Sequence, residues 1–78
     1  MVRIRKEMLD EGQPVGALKK SWFNDKRLSL KELGILATLT WYYEGISKSA
    51  LIRSHKGGRF STESGLRKLQ SAGYIEIV

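Results

Sequence analysis

The apolar positions change period along the chain, and each change marks an element. Val2 and Ile4 alternate with Arg3 and Arg5, the two-residue repeat of a short strand. The stretch from Glu11 to Gly16 holds the only proline and two glycines, and reads as a loop. Between Ala17 and Phe23, Leu18 and Trp22 stand four apart, so a short helical turn would place both on the core. Ser29, with Glu32 three residues on, has the capping-box spacing that starts a helix. Beyond it Leu30, Leu33, Leu36, Ala37, Leu39, Thr40, Trp41 and Tyr43 put apolar groups almost all round, predicting a central helix covered on several sides. Gly45 supplies the left-handed backbone that ends such a helix, and Ile46 follows as a one- or two-residue strand. Trp41, Tyr42 and Tyr43 are read as core with Tyr42 partly exposed, in preference to a ligand- or base-stacking site.

Ser47 has the side chain to cap a second helix from Lys48 to about Ser54, with Ala50 and Leu51 inward and Lys48 and Arg53 toward solvent. His55 falls at its end as a surface residue, and residues 56–59 form a turn. A third helix is expected to start between Arg59 and Thr62, with Ser61 as its cap and Glu63 in its first turn, and to run to Ser71 or Ala72. Thr62, Gly65, Leu66 and Leu69 share one face at helical spacing. Turning them inward sends Ser64, Arg67 and Ser71 outward, with Glu63 and Lys68 on the flanks. Gly65 weakens a helix by about 1 kcal/mol relative to alanine, which implies close packing of another helix there. Gly73 ends the third helix, and Tyr74 to Val78 alternates as a strand with Ile75 and Ile77 on one side. No returning strand follows Val78, so this strand pairs with Ile46 and the Val2 to Ile4 segment, unless the domain was cut from a longer chain.

The expected organisation is a single α+β domain, mainly helical. Residues 1–27 form an N-terminal arm of strand, loop and docking turn, and residues 28–78 the helical unit. At 78 residues such a domain is near the size where stability is marginal. No cysteine is present, so neither a disulfide framework nor a thiolate metal site supports it. No apolar run approaches the roughly 20 residues of a membrane span, and the basic start of the chain lacks the apolar segment of a secretory signal. A cytoplasmic protein with no membrane association is expected.

Charge narrows the function. Between positions 48 and 68, Lys48, Arg53, Lys56, Arg59, Arg67 and Lys68 stand against a single acid, Glu63, so most of the formal net charge of +6 lies on the second and third helices. Such a cluster favours an anionic partner, nucleic acid before a membrane surface. Catalysis is not indicated: the acids are scattered, His55 is the lone histidine, and no residue set has catalytic spacing. A lone histidine makes no metal site, and Gly57 and Gly58 lack the Gly-Lys-Ser/Thr ending of a phosphate-binding loop, so no cofactor is expected.

Three segments carry a family resemblance: Asp25 to Gly34 leading into the first long helix, Gly57-Gly58-Arg59 at the turn, and Leu66 to Ile75 with its Leu-x-x-Leu-x-x-x-Gly-Tyr-Ile pattern. Spanning about 50 residues, they resemble the winged helix-turn-helix domains at the N-termini of phage and plasmid replication initiators and related small regulators. The resemblance implies a three-helix core with a small β-sheet or wing, and a third helix that reads the DNA major groove. It implies Ser64, Arg67 and Ser71 near bases, with Glu63 either accepting from a cytosine amino group or favouring the helix start. It also implies Lys48, Arg53, Lys56, Gly58, Arg59, Ser61 and Lys68 near backbone phosphates. The function expected is sequence-specific binding of double-stranded DNA by a small regulator or accessory factor of transcription, replication or recombination, as a homodimer or cooperative assembly on repeated sites. The alternative is a protein-interaction module that answers an acidic partner through its basic face and offers Tyr74 to Val78 as a strand edge.

Overall fold

Alternation in the first residues builds a strand, β1 (Val2–Ile4), in which Val2 and Ile4 are buried while Arg3 points out and pairs with Glu76 at 2.6 Å. The computed structural model describes residues 1–55 and 58–78. A single 3₁₀ turn (Lys6–Met8) and an irregular loop lead to the short helix α1 (Lys20–Phe23), followed by α2 (Leu30–Trp41), α3 (Lys48–Ser54), α4 (Gly58–Ser71) and β2 (Ile75–Ile77). Among the described residues this is a mainly helical α+β fold of four helices and a two-stranded antiparallel sheet. No helix among them is long and apolar enough to cross a membrane.

β1 runs antiparallel to β2, with Val2 opposite Ile77, Arg3 opposite Glu76 and Ile4 opposite Ile75. On its other side Val2 bridges Ile46, exchanging backbone hydrogen bonds of 2.8 and 3.0 Å. The N-terminal strand thus lies between Ile46 and β2: the C-terminal strand pairs with the Val2 to Ile4 segment as expected, but Ile46 bridges Val2 and not β2, because β1 occupies the place between them. The core behind it joins Val2, Ile4 and Ile75 to Leu36 and Leu39 of α2, Leu51 of α3 and Leu66 and Leu69 of α4.

Capping places α2 and α3 as expected. The Ser29 backbone N–H and hydroxyl both donate to Glu32 Oε1 at 2.9 Å, completing the capping box of α2, and Ser47 Oγ accepts from the Ala50 N–H at 3.2 Å. The packing of α2 differs from expectation. Its buried residues, Glu32, Leu33, Ile35, Leu36, Leu39 and Thr40, occupy one side, while Leu30 and Trp41 on the other are 83% and 67% exposed. Tyr42 and Tyr43 are exposed as well, so the aromatic run is surface and not core. The reason is angular: at 100° per residue positions 30, 34, 38 and 41 line up opposite the buried stripe, away from the helices and strands that form the core.

The start of α4 also differs. The helix begins at Gly58, whose φ of +80° suits glycine, so Ser61 lies inside its first turns as a half-buried residue and does not cap it. Glu63 is correspondingly beyond the first turn. The inward face is the expected one: Thr62, Gly65, Leu66 and Leu69 are all buried. At Gly65 a Cβ would meet Ile35 Cδ1 at 2.6 Å, which shows how closely α4 approaches α2.

Candidate nucleic-acid interface

The face of α4 turned from the core is set by the buried stripe behind it. Opposite Thr62, Gly65, Leu66 and Leu69, a straight helix carries positions 60, 64, 67 and 71. Phe60, Arg67 and Ser71 are exposed and Ser64 is half-buried. Ser64, Arg67 and Ser71 are therefore on the outward face expected from the sequence. Phe60 was missed: with Ser61 expected as the cap of this helix, it lay outside any periodic face. At 87% exposure it is a large apolar group with no cover among the described residues.

Exposed cations lie on α4 itself and on the neighbouring α3. Lys48 and Arg53 are exposed on α3, Arg59 at the start of α4 and Lys68 on its flank. Lys56 lies outside the described residues. Two of these cations are shared with acids. Lys48 Nζ lies 3.8 Å from Glu63 Oε1, an ion pair joining α3 to α4. Lys68 Nζ lies 3.9 Å from Glu32 Oε1, and Lys31 Nζ lies 3.9 Å from its Oε2. Glu32 is fully buried beneath them. Burial pushes its carboxyl up, but the hydrogen bonds from Ser29 and the nearby Lys68 and Lys31 charges outweigh burial, leaving its pKa below the ordinary value. Glu32 Oε2 and the buried Thr62 hydroxyl have no hydrogen-bond partner among the described residues.

A cation the sequence did not single out completes the set. Arg27, in the turn before α2, lines a shallow open groove of about 370 Å³ with Arg67, Lys68, Ser71 and Ala72. Its position is fixed from behind. Arg27 Nε donates to Asp25 Oδ1 at 3.0 Å and Nη2 to Oδ2 at 2.8 Å, while the Tyr74 hydroxyl donates to the same Oδ2 at 2.7 Å. The bonds from Arg27 and then Tyr74 hold the Asp25 carboxyl well below the usual carboxylate range. Tyr74 in turn packs edge-on against buried Trp22, ring centroids 6.3 Å apart. Only the hydrophobic docking of Trp22 was legible in the sequence. The link from Asp25 to Tyr74, 49 residues apart, has no local signal.

His55 caps the end of α3, its N–H donating to Leu51 O at 3.1 Å, and is half-buried rather than fully at the surface. Among the described residues no group of three or more His, Asp or Glu is placed to hold a metal ion. No family model, no curated protein and no solved structure matches the chain.

Proposed function

We propose that the chain is a winged helix-turn-helix protein that binds double-stranded DNA, with α3 and α4 as the helix-turn-helix and the outward face of α4 in the major groove. What supports this most is a single juxtaposition. The outward stripe of a well-anchored helix carries small polar and long cationic side chains, and further cations flank it on α3 and in the turn before α2. In this reading β1 stands in for a returning wing strand, since it fills the slot between Ile46 and β2.

Phe60 and Ser64, in the N-terminal half of α4, are the side chains best placed to meet base edges, the half of a recognition helix that usually does so. Phe60 offers an apolar contact of the kind made with a thymine methyl, and the Ser64 hydroxyl can donate or accept. Glu63, held toward Lys48, is an acceptor at the edge of the same face. Lys48, Arg53, Arg59, Ser61 and Lys68 serve the backbone phosphates. No reaction is assigned to the protein. A small regulator or accessory factor of transcription, replication or recombination needs only such binding. One module of this size buries little DNA, so paired copies on repeated half-sites are the arrangement proposed for high specificity.

Selection from a random duplex pool tests this reading. Enrichment of a shared short sequence that binds at least tenfold tighter than the starting pool supports it. A pool that remains unenriched, with binding no tighter than high micromolar at low salt, rejects it in favour of a protein-interaction module.

A further inference from the structure

We infer that Arg27, Arg67, Lys68 and Ser71 form a seat for one DNA backbone phosphate, so that Arg67 and Ser71 act on the backbone instead of on bases. The inference rests on the proposed DNA binding and deepens it. Three cationic residues and a serine, from two segments far apart in sequence, line one open groove, and among the described residues no acid lines it. Their donors suit a phosphodiester, which has two charged oxygens to be bound and presents no proton of its own.

Arg27 gives the seat its rigidity. Two of its five N–H donors are taken by Asp25, in the fork geometry that a carboxylate fixes, and the Tyr74 hydroxyl lies close enough to interact with the same guanidinium. The side chain is 65% exposed, whereas that of Asp25 is only 12% exposed, so the acid sits behind the guanidinium and not in front of it. Both Asp25 oxygens are occupied, one of them by Tyr74. Asp25 therefore orients the cation, at the cost of part of its field, and Asp25 and Tyr74 are positioning residues. Placement along α4 agrees. Arg67 and Ser71 belong to the C-terminal half of the helix, whereas base contacts usually come from the N-terminal half. Ala72, small and partly buried, forms the apolar wall of the groove without filling it.

The test is the salt dependence of duplex binding, followed by fluorescence anisotropy for the full chain with a pool-selected duplex and with a random duplex. For Arg27→Ala and for Arg67→Ala, affinity is expected to fall roughly tenfold on both duplexes alike, with the slope of log K against log salt shallower by about 0.9. Arg27→Lys retains the wild-type slope, because it keeps the charge, but binds both duplexes more weakly than wild type. Tyr74→Phe weakens both duplexes slightly at unchanged slope. Should Arg27→Ala fail to fold, as read by circular dichroism, Arg27→Gln gives the same slope reading. Wild-type binding with an unchanged slope in Arg27→Ala or Arg27→Gln, or an Arg67→Ala loss confined to the selected duplex, overturns the phosphate seat while leaving DNA binding in place. Wild-type protein that binds neither duplex overturns both.

Discussion

Gly65 of α4 and Ile35 of α2 meet so closely that a Cβ on the glycine would lie 2.6 Å from Ile35 Cδ1. The angle at which α4 presents its outward face depends on this contact. Gly65→Ala gains about 1 kcal/mol of helix propensity. It must also displace the end of a fully buried isoleucine, and overpacking of this kind costs about 1 to 3 kcal/mol. The expected result is a net loss on the order of 1 kcal/mol in urea unfolding. Adding Ile35→Val, which removes Cδ1, should recover much of it; a Gly65→Ala protein more stable than wild type would show that the helices have room to part.

Thr62 offers the opposite case. Its hydroxyl is buried without a hydrogen-bond partner among the described residues, so Thr62→Val removes a desolvated polar group at nearly constant shape. Stability is expected to stay level or rise by up to about 1 kcal/mol. A loss larger than that in thermal or urea unfolding would mean that the hydroxyl has a partner such as a bound water.

Acid should loosen the anchor of Arg27. Asp25 has a folded pKa below its ordinary value of 3.8, and Glu32 lies below its ordinary 4.5, so each binds fewer protons folded than unfolded. Their stabilisation is complete above those ordinary values and is lost as pH falls through the lower folded ones. The urea midpoint should therefore be flat above about pH 5 and drop below it. Asp25→Asn should lower the plateau and make the acid limb shallower; an acid limb of unchanged steepness would remove Asp25 as a contributor.

Tyr74→Phe tests the same chain from its buried end. The phenyl ring keeps its packing on Trp22 and only the donor to Asp25 is lost. A cost of roughly 1 kcal/mol is expected, the usual size for one hydrogen bond. Little or no change in the urea midpoint would argue that Arg27 alone suffices to hold Asp25.

Much of the fold could be read in the sequence because it follows from local rules. The Ser29 and Glu32 capping box, the Ser47 cap, the inward stripe of α4 and the alternation of the two strands all have signals within a few residues. Two local rules misled. The apolar Leu30 and Trp41 were expected to be covered, yet periodicity cannot say which apolar side of a helix meets a neighbour. The Ser61 cap was plausible chemistry, but the glycine at position 58 allows the helix to start earlier. That shift of three residues hid Phe60. Arg27 was hidden for another reason: its place beside Arg67 and Lys68 is set by tertiary packing of Trp22, Asp25 and Tyr74, which no spacing encodes.

The most direct measurement is a backbone amide NMR titration of the full chain with duplex DNA at low salt. If α4 enters the major groove, the largest shifts will fall on Arg59 to Ser71 with further ones at Lys48 and Arg27, and the exposed α2 face at Leu30 and Trp41 will stay unchanged. Shifts centred on that α2 face, or none at all up to high micromolar DNA, would contradict the assignment of α4 as the DNA-binding surface.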